Sequence, residues 1–140
     1  MSKKKIIGYT TGVFDLFHIG HLNILKKAKS KCDILVVGVT TDELAEKLKG
    51  KKPVISFRDR IEIVKNIKFV DKVVPETYDD KIKACKKLKF DVIFKGNDWK
   101  GSEKWQKLED EFLKLGVKVI YFQYTKTTSS TKISRILDFM

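Results

Sequence analysis

A doubly wound α/β fold on one parallel sheet is what this 140-residue sequence predicts. Three observations carry that expectation. Short β-branched runs alternate along the chain with segments of helical periodicity. The connections between them are short, as in layered strand–helix folds. The run DILVVGV, residues 33–39, is apolar at successive positions, which suits a strand buried on both faces of a parallel sheet.

Taken in order, KKIIGYT (4–10) reads as a buried first strand. HLNILKKAKSKC (21–32) follows as a helix with Leu22, Leu25, Ala28 and Cys32 on one face. After the second strand, TTDELAEKLK (40–49) is a helix capped by Thr40 or Thr41. GKKPV breaks the periodicity and reads as a loop. SFRDRIEIVKNI (56–67) opens with Ser56 and an acid, Asp59, three residues on, a capping-box pattern with Ile61, Val64 and Ile67 on one side. VDKVV (70–74), FDVIFKG (90–96) and VKVIYF (117–122) read as strands. DDKIKACKKL (79–88) and SEKWQKLEDEFLKLG (102–116) read as helices, the latter stopped by Gly116. SSTKISRILDFM (129–140) predicts a closing helix capped by Ser129 or Ser130. Residues 1–140 show no repeat and no linker, so one domain is expected.

Hydrophobic residues at 42% and charged residues at 34% fit a folded domain rather than a disordered chain. No apolar run approaches the roughly 20 residues that cross a bilayer, and the start has no signal-peptide pattern, so a cytoplasmic protein is expected. Cys32 and Cys85, far apart in apolar surroundings, read as buried free thiols. The net charge is +12, and arginine occurs only at 58, 60 and 135. That charge permits nucleic acid, an anionic membrane surface or a small polyanion as partner and chooses none of them. Many of the lysines fall on polar helical faces, where a solvated role is the default.

In an open parallel sheet, ligands bind beyond the carboxyl ends of the strands, near the point where strand order reverses. TTGVFDLFHIGH, TTDE, KGNDWKG and QYTKTTSST occupy such ends and are rich in glycine and polar residues. The first holds both histidines of the chain, His18 and His21. A helix starting near Gly20 aims unpaired N–H groups at the same spot, and a helix start favours an anion by about 0.3–2 kcal/mol. Two imidazoles there can donate to phosphate oxygens, and an anion beside them would make them hold protons more readily. A metal site of Asp15, His18 and His21 and a purely structural pair are the alternatives. The HExxH spacing is absent, and context favours phosphate.

GVFDLFHIGH resembles the HxGH motif of the cytidylyltransferases, within the nucleotidyltransferase superfamily. The resemblance runs from Ile6 to about Ile136 and includes further motifs in order. KGNDWKG is similar to the family's base-contacting segment in its glycerol-phosphate branch, and TKTTSSTKI to RTxGISTT. LKG, DRI and KFVDKVV have counterparts as well. The resemblance implies a Rossmann-like nucleotidyltransferase fold. It implies transfer of CMP from CTP to a small phosphomonoester, glycerol 3-phosphate foremost, giving CDP-glycerol and pyrophosphate. Mg²⁺ would arrive on the triphosphate, with no metal site in the protein. A homodimer is expected, with no nucleic-acid or membrane partner and a role in supplying a cell-surface polysaccharide precursor.

By the same resemblance, His18 and His21 stabilise the α-phosphate, and Val13 and Phe14 offer backbone contacts to the nucleotide. Lys49 is placed in catalysis and on the acceptor phosphate, and Lys51 on the CTP phosphates. Lys68 faces the triphosphate and Lys81 the acceptor phosphate. Asp98 and Trp99 hold the base, while Tyr124, Thr125, Lys126, Thr127, Thr128, Ser129, Ser130 and Thr131 wrap the phosphates. Asp15, Arg60 and Asp71 support the site, and Trp105 is assigned to packing with Leu108 and Phe112. Two departures stand out. Tyr124 and Lys68 replace family arginines, losing planar bidentate donors, so altered affinity with retained activity is expected. An adenylyltransferase, a basic nucleic-acid-binding module and a silent nucleotide sensor are the rival readings.

Overall fold

The computed structural model describes residues 4–123. Five strands form one all-parallel sheet: β1 (Ile7–Gly12), β2 (Ile34–Thr40), β3 (Lys72–Glu76), β4 (Val92–Gly96) and β5 (Lys118–Phe122). Their spatial order is β3-β2-β1-β4-β5, with Thr10 of β1 opposite Val37 of β2 and Phe94 of β4. The expected closing helix and its caps, Ser129 and Ser130, lie outside the described residues.

The helices are α1 (Ile19–Lys29), α2 (Asp42–Lys49), α3 (Phe57–Lys65), α4 (Lys81–Leu88) and α5 (Glu103–Lys114). They divide between the two faces of the sheet. Leu25 and Ala28 of α1 and Val64 of α3 pack with Leu35, Val37 and Phe94 on one face. Ala84 and Cys85 of α4 and Trp105 and Phe112 of α5 pack with Tyr9 and Ile93 on the other. The split follows from winding: right-handed crossovers from β1 outward through β2 to β3 lie on one face, and those to β4 and β5 on the opposite face. Strand order therefore reverses between β1 and β4, which opens a crevice at their carboxyl ends. Trp105 is buried among apolar neighbours, where its spacing places it.

The boundaries depart from expectation where tertiary partners intervene. Helix α1 begins at Ile19, before His21, and ends at Lys29, leaving Cys32 outside it. The chain turns there because the N–H groups of Asp33 and Ile34 both bond to the Ile6 carbonyl, drawing the segment into the sheet. Ser56 is the N-cap of α3 yet makes no side-chain cap bond. Asp42 of α2 accepts the Phe57 N–H at 3.2 Å instead, so a carboxylate from another helix supplies the cap. Thr41, Asp80 and Ser102 do cap α2, α4 and α5 with their own oxygens. Both cysteines are free thiols, Cys85 buried and Cys32 half-buried. No described helix is long and apolar enough to cross a membrane.

Candidate active site

The β1–α1 turn lies at the crevice, and its backbone is strained. Phe14 and Leu16 both adopt left-handed conformations, with φ of 55° and 51°. Such residues cost about 1–3 kcal/mol each and persist only where their surroundings hold them. Three contacts do so here. The Phe14 ring lies against Gly12, where an added Cβ would stand 2.9 Å from it. Asp15 accepts the N–H groups of Val54 and Ile55, each at 2.8 Å, tying the turn to the loop after α2. Arg60, 1% exposed, donates from Nη1 to the carbonyls of Val13 and Thr40, each at 2.7 Å, from Nε to Ile55, and from Nη2 to Asp42. One buried guanidinium thus ties together the ends of β1 and β2 and the loop before α3.

The capping box expected at Ser56 is formed instead by the two histidines. Nδ1 of His18 accepts the Gly20 N–H at 3.0 Å, and Nδ1 of His21 accepts the His18 N–H at 3.2 Å. Two consequences follow. The first N–H groups of α1 are partly consumed inside the turn, so the helix start meets an anion through the imidazoles as well as through its own amides. With each Nδ1 an acceptor, the proton of each neutral ring sits on Nε2. The rings lie close together at a tilt of 30°, centroids 4.1 Å apart, with Phe14 and Phe17 against His21.

Burial lowers the pKa of His18 and, with the charges of His18 and Lys49 opposed by Asp15, brings that of His21 down to about 4. At neutral pH these are two neutral Nε2–H donors rather than two cations. That differs from the expectation of readily protonated imidazoles, which presupposed an anion at the site. The metal alternative fits poorly: both Asp15 oxygens accept backbone N–H groups. Among the described residues, no group of three or more His, Cys, Asp or Glu side chains gathers as a metal ligand set.

The other predicted residues divide. Lys49, exposed at the end of α2, acts electrostatically on His21 and belongs to this site. Lys51 is exposed on the following loop. Trp99 is 41% exposed on a short 3₁₀ turn directly after β4, on the other side of the crevice. The Asp98 side chain and residues Tyr124, Thr125, Lys126, Thr127, Thr128 and Thr131 lie outside what the structure describes.

Lys68 and Asp71 are not brought to this site. Both precede β3, at the amino ends of the strands, the opposite edge of a parallel sheet from the histidines. Asp71 works there structurally, accepting the Leu35 N–H at 2.7 Å and pairing with Lys29 at 2.6 Å. Lys81 is buried and its ammonium pairs with Glu76, with Asp79 at 3.4 Å. The sequence reading missed Lys95. The available signal was a cation at an inward-facing position of an otherwise apolar strand, VIFKG.

A doubly wound sheet whose switch point carries two Nε2–H donors at a helix start is built to receive a phosphate-bearing ligand. Residues 9–136 match the cytidylyltransferase-like family, and the chain belongs to it. Over 133 residues it is 39% identical to a glycerol-3-phosphate cytidylyltransferase of Bacillus spizizenii, covering 94% of this chain and 95% of that one. It is 37% identical to an FAD synthase of Thermococcus sibiricus over 137 residues, 97% of this chain and 93% of that one. A lipopolysaccharide core biosynthesis protein from Thermoplasma volcanium superposes with a TM-score of 0.74 at 33% identity, covering 87% of this chain and all of that one.

Proposed function

We propose that this enzyme transfers the cytidylyl group of CTP to glycerol 3-phosphate, giving CDP-glycerol and pyrophosphate. The observation that carries the reading is the pair of oriented imidazoles at the switch point. It is supported by similarity over nearly the full length to a glycerol-3-phosphate cytidylyltransferase. A phosphomonoester loses its second proton near pH 6, so at neutral pH its oxygen is already a nucleophile and no general base is needed. That oxygen attacks the α-phosphorus, a P–O bond forms, and the bond to the β-phosphate oxygen breaks with its electron pair leaving on pyrophosphate. The barrier is the approach of an anion to a crowded phosphate, and fixed donors aimed at the developing charge lower it.

His18 and His21 donate through Nε2 to the oxygens of the α-phosphate in this scheme. Lys49 and Lys51 add positive charge beside the triphosphate, and Trp99 offers a face to the base. Mg²⁺ bound to CTP would offset charge on the leaving pyrophosphate. We further infer a homodimer, from the family resemblance, and a cytoplasmic location, from the sequence pattern.

Transfer of an adenylyl group is the second reading, favoured by the likeness to an FAD synthase. Incubation with each nucleoside triphosphate, Mg²⁺ and a panel of phosphomonoesters separates the two. Pyrophosphate release with CTP and glycerol 3-phosphate is expected. Release with ATP and not CTP would overturn the proposal.

A further inference from the structure

Lys95 occupies β4 between Phe94 and Gly96. Strand alternation sets it on the Tyr9–Ile93–Trp105 face, opposite to the Phe94 face that α1 covers. Its Nζ lies 5.2 Å from the centroid of the Trp99 ring and 5.7 Å from that of Trp105. The charged groups that act on it are Lys81, Glu76, Asp79 and Lys104. Both carboxylates among them are engaged elsewhere: Glu76 accepts from Lys81 and from the Thr40 hydroxyl, and Asp79 accepts from Lys104 at 2.5 Å and from Lys81 at 3.4 Å. Among the described residues Lys95 has no ion pair, only two indole faces. Burial first, and then the Lys81 charge, brings its pKa down to about 8.

A half-buried cation without a counter-ion is unfavourable, and methionine or leucine would fill the position without that penalty. Asp79, Asp80, Lys81, Glu103, Lys104 and Lys107 line a groove of about 590 Å³ between the starts of α4 and α5, at the carboxyl end of the sheet; its three carboxylates match its three ammoniums, and Lys95 stands outside the lining. That volume accommodates a small phosphorylated molecule. In-line displacement adds a direction: the nucleophile must enter opposite the departing pyrophosphate. The imidazoles and Lys49 lie on the α1–α2 flank of the crevice, and Lys95 lies on the α4–α5 flank.

We propose that Lys95 binds the anionic group of the acceptor, holding its phosphate on the α4–α5 side of the crevice while the triphosphate lies on the α1 side. This rests on the function proposed above for the identity of the acceptor. The lysine is a binding residue and exchanges no proton in the transfer.

Two experiments test it. In Lys95→Met, the KM for glycerol 3-phosphate should rise at least tenfold while the KM for CTP stays within twofold. The thermal midpoint should hold or rise, and Lys95→Arg should recover part of the acceptor affinity. An acceptor KM like the parent's, or a defect confined to CTP, would overturn the assignment. A second measurement needs no nucleotide: ¹³Cε-lysine NMR, with Lys95 identified by the resonance missing in the Met variant. Inorganic phosphate should shift that resonance and raise its titration midpoint. No shift at saturating phosphate would overturn the proposal, and a shift would uphold it even where the CTP reaction itself failed.

Discussion

The two flanks of the crevice treat their buried nitrogen groups in opposite ways. On the α1 flank, Arg60 meets three carbonyls and a carboxylate, and the histidine Nδ1 atoms accept helix N–H groups. On the α4 flank, Lys81 takes the carboxylate of Glu76 and Lys95 is left with two aromatic rings. The first arrangement is pre-organised: its strained turn keeps one shape because every neighbour opposes a change. The second leaves Lys95 over two indole rings without a carboxylate partner, and the acceptor anion proposed above would supply one. The difference separates groups that build a site from groups that wait for a ligand.

Breaking the α1 flank should damage the fold as well as the chemistry. Arg60→Met strands the Asp42 carboxylate and frees the Val13 and Thr40 carbonyls, so a loss of about 3–5 kcal/mol is expected in urea unfolding. A loss under 1 kcal/mol would show that the clasp is dispensable. His18→Ala removes one oriented donor and the α1 cap together. Pyrophosphate release should fall about 10²–10³-fold, the range for a lost oxyanion donor, with about 0.5–2 kcal/mol of stability. A rate within tenfold of the parent's would place the phosphate elsewhere.

The smallest effect is in pH dependence. His21 titrates near 4 when folded, against an ordinary value near 6.5, so between these pH values the unfolded chain holds more protons. Its contribution to stability is complete above about pH 6.5 and is lost as pH falls toward 4. Replacing His21 with Gln should flatten the decline in thermal midpoint across that window relative to the parent. An unchanged slope would mean that the folded ring is as basic as a free one. Lys95→Met sharpens the contrast from the other side, since it should weaken acceptor binding while leaving stability intact or improved.

Much of the site was readable because its signals are local. His18 and His21 lie three apart at a strand-to-helix junction, and that spacing alone sets both rings on one turn. Strand identity followed from β-branched runs, and Trp105 from helical spacing. Lys81 and Lys68 were harder. Nothing near Lys81 in the chain announces that Glu76, which ends β3, will pair with it inside the protein. Lys68 reads like any lysine beside a strand, and only the parallel direction of β3 puts it at the far edge from the histidines.

Alternation of apolar runs, glycine at the first turn and the histidine spacing determined the fold class and where an anion should bind, since backbone preference and side-chain period act over a few residues. Tertiary structure decided the rest. The turn's left-handed residues, the exchange of a serine cap for a carboxylate and the isolation of Lys95 all depend on partners 15 to 47 positions away in the chain or on another strand. Such contacts are chosen by whether every buried charge and N–H finds a counterpart, a condition satisfied by the whole sheet and its helices at once.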